Sequence, residues 1–237
     1  MEAIMQFSTL PILIVAIFVF LWFLSSRVHR LGAINGSQQN WLVALLSILL
    51  VWGGFVGYQS SSGAFATEDF LSLLPGYWLP YVPVVLSISL ILLVTPLRFG
   101  LRRLVDATPH HWLTGIHCLR ILALGTLIKA SMGLFPEKFA WFVGGVDLLF
   151  GLSAIAVTLL VHRGRLTDGF LLVWHLIGAL VIVVPVAGLM HVFMQEALFS
   201  KLFVFPMVLA PALVVPSFVM LNLLVAWRLL EKRMQRV

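Results

Sequence analysis

The chain has 237 residues, of which 61% are hydrophobic and only 10% charged, with a formal net charge of +6. A soluble domain carries about 25% charged and about 45–50% apolar residues, so a mean hydropathy of +1.08 excludes an ordinary water-solvated globule and makes the bilayer the natural solvent. The pI near 10.1 does not indicate nucleic acid, because the basic residues fall in short clusters between apolar runs, where they act as topology signals and contacts to anionic lipid at the cytoplasmic face.

Apolar runs recur at 7–24, 41–58, 79–97, 112–134, 140–161, 170–190 and 203–230, separated by short stretches bearing Gly, Ser, Asn, Pro or charge. Each run suits the roughly 20 residues that cross a ~30 Å hydrocarbon core. The expected architecture is therefore an all-α membrane protein, one transmembrane domain of seven helices over 1–237, with no separate soluble domain. The first run has no basic segment before it and no small-residue cleavage site after it, so it reads as a retained span and not a signal peptide.

The separators also assign direction. One alternate set, with the C-terminal tail, holds Arg27, Arg30, Arg98, Arg102, Arg103, Arg163, Arg165, Arg228, Lys232, Arg233 and Arg236, whereas the other holds Lys138 and Lys201. Eleven against two predicts the N-terminus outside and the C-terminus in the cytoplasm, which requires an odd number of spans. The longest outer segment, Gln59–Leu74, predicts a short surface helix capped by Thr67, with Glu68 and Asp69 in its first turn and Pro75–Gly76 ending it. An irregular loop is the alternative. Tyr77, Trp78 and Tyr81 then supply an aromatic belt.

Two charges lie deep in the spans. Arg120 is about ten residues, roughly 15 Å, into the fourth run, and Asp147 about nine residues into the fifth. An isolated charge at that depth costs on the order of 3 kcal/mol on insertion scales, which a facing partner would offset. Gly144, Gly151, Ala154 and Thr158 share Asp147's side of the helix and permit close helix approach. His117 shares Arg120's side, three residues before it. A structural ion pair fixing helix register and a proton- or substrate-coupled site are both open. Lys129 points away and snorkels outward.

Among the seven histidines, His110, His111, His162 and His191 belong at span ends. His117 and His175 lie deeper on different helices and together offer two axial ligands for a b-type haem, although hydrogen-bonded structural histidines are the simpler expectation. No C-x-x-C-H, G-x-x-x-x-G-K-[ST], H-E-x-x-H or G-x-S-x-G occurs, and Cys118, the single cysteine, excludes an internal disulfide. No metal site and no cofactor is expected. A lysine for a retinal Schiff base is missing from the last run, which has Pro206, Pro211 and Pro216 instead. Those prolines, with Pro185 in the sixth run, predict kinked spans, or a bent helix beside a cavity.

The pattern Arg120-x12-Gly133-x2-Pro136-x2-Phe139-Ala140-x3-Gly144-x2-Asp147-x3-Gly151-x2-Ala154, continued by Trp174, Gly178, Pro206, Pro211, Val215 and Pro216, resembles a family of uncharacterised bacterial multi-span membrane proteins. The resemblance covers the second half of the chain. It implies a seven-helix fold and a bacterial inner (plasma) membrane location, and it brings no activity. The chain departs from that pattern at His175, Val181 and Asn222, so no polar site is carried over there.

These features lead to a non-enzymatic accessory, scaffold or sensor protein, with another membrane protein or a second copy of the chain as a partner. The alternative is a small-solute or proton-coupled transporter or channel using Arg120 and Asp147. A membrane redox or lipid-modifying enzyme is the third reading.

Overall fold

The computed structural model describes residues 8–67, 70 and 78–235, and every regular element among them is helical. Helix α1 spans Leu10–Arg30 and α2 Gly36–Ser61. Asn35 starts α2 with a capping box: its side chain accepts from the Gln38 N–H while the Gln38 side chain accepts from the Asn35 N–H. A short 3₁₀ turn at Ala64–Ala66 leads to Thr67, whose hydroxyl accepts from the Phe70 N–H at 3.3 Å. The rest of the expected surface helix, with Glu68, Asp69 and Tyr77, lies outside the described residues.

The chain resumes in α3, Tyr81–Leu93, bends by 103°, and continues as α4, Thr95–Ala107. Here the structure departs from the single run expected over 79–97. Pro96 has no N–H to donate to the Leu92 carbonyl and its ring crowds that carbonyl, so the helix breaks at Val94, which is extended. The segment beyond it, expected as a connection, is an amphipathic helix that buries Leu97, Leu101, Leu104 and Val105 and leaves Arg103 exposed.

Helices α5 (His110–Ser131), α6 (Glu137–His162), α7 (Asp168–Phe193) and α8 (Ala210–Met234) complete the bundle. Gly133 and Gly164 stop α5 and α6 at φ of 68° and 65°, a left-handed conformation that glycine adopts without a Cβ penalty. The following N–H groups, of Leu134 and Arg165, close the helix ends on the carbonyls of Lys129 and Leu160. The last helix begins later than the expected 203–230. Phe199–Phe203 is a short 3₁₀ turn, the Phe205–Pro206 peptide is cis, and Pro206 precedes the helix, so only Pro211 and Pro216 lie in it. Likewise Arg27 and Arg30 belong to the last turn of α1 and not to a loop.

Six of these helices are long and apolar enough to cross a membrane, or seven if the bent pair α3–α4 is one span. Alone, the 13 residues of α3 reach about 20 Å, short of a ~30 Å core.

Contacts define the two ends of the bundle. At one, Arg27 donates to the Ala107 carbonyl at 3.2 Å and lies over Trp112, His111 meets His162 ring to ring, and a Cβ on Gly100 would touch Gln38. There Asp106 takes Arg228 in a bidentate pair at 2.8 and 3.0 Å and Lys232 at 2.8 Å, while Glu231 pairs with Arg102 and Arg228. At the other, Ser60 donates to the Phe203 carbonyl, Phe70 meets both Trp78 and Phe203, and the Glu196 carboxylate accepts the N–H groups of Lys138 and Phe139. Two apolar clusters fill these two halves. One gathers Leu13, Ile17, Phe203 and Phe218, and the other Leu24, Leu97, Phe150 and Trp174.

Candidate functional site

A polar layer sits where the two clusters meet, and irregular helix geometry builds it. Helix α5 is α-helical over His110–Gly115, tightens to 3₁₀ over Ile116–Ala123, and relaxes to α over Leu124–Ser131. Runs of 3₁₀ beyond three or four residues are uncommon, and in this geometry side chains at i and i+3 eclipse. His117 and Arg120 therefore stack on one line, and both are buried.

Helix α6 has the opposite irregularity. Ala140–Gly145 is a π turn, and Asp147 follows in the first turn of the α-helical part. The small residues expected to face protein pack against α5. A Cβ on Gly151 would lie 2.7 Å from the Ile121 nitrogen and 2.9 Å from the Arg120 carbonyl carbon, and one on Gly144 would lie 2.6 Å from the Thr126 hydroxyl. Ala154 is fully buried, and the Thr158 hydroxyl donates to that of Thr114 at 3.0 Å.

This approach joins the two charges. Arg120 Nε donates to Asp147 Oδ1, and Arg120 Nη1 donates to the Gly178 carbonyl of α7 at 3.0 Å. The guanidinium lies 4.4 Å from the ring centre of Phe150 and 5.7 Å from that of Phe218. Arginine suits this position because it stays charged and its flat face tolerates aromatic contact. The Arg120 side chain is 0% exposed and that of Asp147 16%. The carboxylate is thus the more accessible half of the pair.

Beside it, His175 Nδ1 contacts Asn222 Oδ1 at 2.8 Å. Since Oδ1 only accepts, the contact requires the proton on Nδ1 and leaves Nε2 with its lone pair. The His117 ring stands 5.8 Å from that of His175, centre to centre, and within 5.6–5.8 Å of Phe150, Trp174 and Phe218. Both His117 nitrogens, Arg120 Nη2, His175 Nε2 and Asn222 Nδ2 are buried and find no hydrogen-bond partner among the described residues.

The layer thus brings together all four residues singled out from sequence: Arg120, Asp147, His117 and His175. It does not fit a haem. Axial ligation needs an open slot between two imidazoles, and here aromatic rings crowd His117 on all these sides. No group of three His, Cys, Asp or Glu gathers for a metal among the described residues. What the layer can do is hold a charge and exchange protons, since it contains two imidazoles and a carboxyl but no activated nucleophile.

Asn222 is the functional-type residue that sequence reasoning passed over. It appeared only as a departure from a family pattern, although a buried asparagine in a span is itself a signal. Gly178 belongs here too, because a Cβ there would fall 2.2 Å from the Phe150 ring and 2.8 Å from Asn222 Nδ2. Lys129 does turn from the layer, with Nζ 4.0 Å from Met207 Sδ.

No curated protein and no solved structure matches the chain. Residues 77–230, about two thirds of the sequence, match a family described as a domain of unknown function, DUF8737. That stretch contains α3 to α7, most of α8 and every residue of the polar layer, and a match over more than half of the chain makes this protein a member of the DUF8737 family.

Proposed function

We propose that this is a seven-pass protein of the bacterial inner membrane, N-terminus outside and C-terminus cytoplasmic, acting as a non-enzymatic accessory, scaffold or sensor protein. The seven-pass reading draws support from the two ends of the bundle. Trp78 belongs to the Ser60–Phe203 end and Gly100 to the Gln38 end, so the chain between them travels from one end to the other despite the shortness of α3. The end bearing Arg27, Arg98, Arg102, Arg228 and Lys232 is then cytoplasmic by the eleven-to-two asymmetry. Single cysteines at Ser62 and Arg165 in a Cys118→Ser background test it. An impermeant maleimide added to intact cells should label position 62 and spare 165; the reverse, or equal labelling, refutes the orientation.

The observation that carries the non-enzymatic reading is the enclosure of Arg120. Its charge is met by Asp147, the Gly178 carbonyl and two ring faces, between two apolar clusters, which is how an ion pair that fixes helix register is built. A partner protein or a second copy then does the work on the bundle's outer faces. In-membrane crosslinking before purification should trap a defined stoichiometric species, and a chain recovered only as a lone monomer counts against it.

A second reading, proton-coupled transport, is favoured by the unpartnered imidazole nitrogens beside the partly exposed Asp147. Asp147→Asn in proteoliposomes separates the two. A fall in stability without change in proton or solute flux supports the structural role, and loss of flux in a stable variant supports coupling.

A further inference from the structure

A second feature lies apart from the polar layer. The cytoplasmic-charge half of the bundle contains a cleft of about 100 Å³, against the ~10–15 Å³ that holds one water. Its walls come from α1, α2, α3, α4 and α8, among them Ser25, Leu45, Ser87, Leu101 and Leu221. From Phe18 to Ser25 on α1 the lining extends about 10 Å along the helix. Leucine, proline and phenylalanine side chains make up most of this lining, which suits a hydrocarbon chain.

Polar features mark one end. Ser25 is 1% exposed, lines the cleft, and its hydroxyl has no hydrogen-bond partner. Five residues later, about 8 Å along α1, comes Arg30 at the bundle's basic end. At the same end the chain bends by 103° at Val94 into α4, whose Gly100 faces Gln38, and Arg98 stands one turn before Leu101 of the cleft wall. Arg102 is held by Glu231, but Arg98 lies over the Phe99 ring and, among the described residues, has no carboxylate partner and leaves Nε buried and unpaired. An unpaired hydroxyl in the wall of an apolar cleft, with a guanidinium one helical turn beyond that wall, offers partners for an acyl chain, an ester carbonyl and a phosphate.

We propose that this cleft is a binding site for an anionic glycerophospholipid: its phosphate on Arg98, an ester carbonyl accepting from Ser25, and one acyl chain between α1, α2, α3 and α8. The site needs only that the bundle lies in a bilayer, and it stands whether the polar layer is structural or coupled. It makes the lipid an integral wall between the N-terminal helices and α8.

The test is native mass spectrometry of the full chain exchanged into micelles doped with phosphatidylglycerol or phosphatidylethanolamine. The unsubstituted chain should retain one phosphatidylglycerol in preference to phosphatidylethanolamine, by about fivefold for the charge of Arg98. Arg98→Gln should erase the preference, while Arg163→Gln, a basic residue at the same end but away from the cleft, should keep it. Ser25→Ala should lower retention of both lipids and Ser87→Phe, which fills the cleft, should abolish it. Equal retention of the two lipids, Arg98→Gln indistinguishable from Arg163→Gln, or retention untouched by both serine substitutions overturns the assignment.

Discussion

Asp147→Asn and Arg120→Gln remove opposite halves of one ion pair, yet the structure makes their costs unequal. Asparagine at 147 can still accept from Arg120 Nε but no longer neutralises a guanidinium that cannot shed its proton and is enclosed at 0% exposure with one carbonyl and two rings as its other partners. An uncompensated buried charge of this kind costs about 3–5 kcal/mol. Glutamine at 120 leaves a carboxyl that is 16% exposed and can lose its charge by taking up a proton, together with an unmet Gly178 carbonyl. That combination costs about 1–3 kcal/mol, the range for a buried polar group left unsatisfied. The double variant has no stranded charge, so it should be more stable than the sum of the single losses predicts, with a coupling of about 1–3 kcal/mol. Unfolding by SDS titration in mixed micelles measures all four corners of the cycle. Arg120→Gln costing as much as Asp147→Asn, or losses that add to within about 0.5 kcal/mol, would refute the enclosed-pair argument.

Gly178→Ala should destabilise by about 1–3 kcal/mol, because its Cβ meets the Phe150 ring and Asn222, whereas Gly188→Ala on the same helix meets nothing within 4 Å and should gain up to ~1 kcal/mol of helix propensity. Equal melting temperatures for the two would sink the packing claim. Asn222→Ala should cost about 1–3 kcal/mol by leaving His175 Nδ1 unbonded, read from the same SDS titration; a neutral result means that the contact contributes nothing. Burial pushes the Asp106 carboxyl up, toward its neutral form, but the hydrogen bonds and charges of Arg228 and Lys232 outweigh it and hold the carboxyl below its usual range. Its contribution is therefore fully present above the unfolded value, about pH 4, and is lost as pH falls through the lower folded value. Melting curves across that window should fall more steeply for the natural chain than for Asp106→Asn, and parallel curves would show that the network adds no stability.

The spans and the Arg120–Asp147 pair were legible because both follow from the expense of polar groups in hydrocarbon: apolar runs must be long, and deep charges must meet. The face-sharing of Gly144, Gly151, Ala154 and Thr158 was legible from helical period alone. Helix α4 was hidden by its arginines, although Leu97, Leu101, Leu104 and Val105 recur with helical spacing and Pro96 announces the break before them. The His175–Asn222 contact was not legible, since it joins positions 47 residues apart and depends on how α7 and α8 pack. The 3₁₀ and π stretches left no local mark either. They accompany the contacts of Arg120 to Asp147 and Gly178, which join three helices and which no local propensity encodes.

The eight-residue 3₁₀ stretch of α5 has a mechanical consequence. Each 3₁₀ residue rises about 0.5 Å more and turns about 20° more than an α residue. Rewinding Ile116–Ala123 to α geometry would shorten α5 by about 4 Å and rotate Leu124–Ser131 by roughly 160° relative to the start of the helix. His117 and Arg120 would fall out of line, and Lys129 would swing from Met207. The helix is a screw of two pitches, so a change of pitch over Ile116–Ala123 would turn Leu124–Ser131 relative to the charged pair.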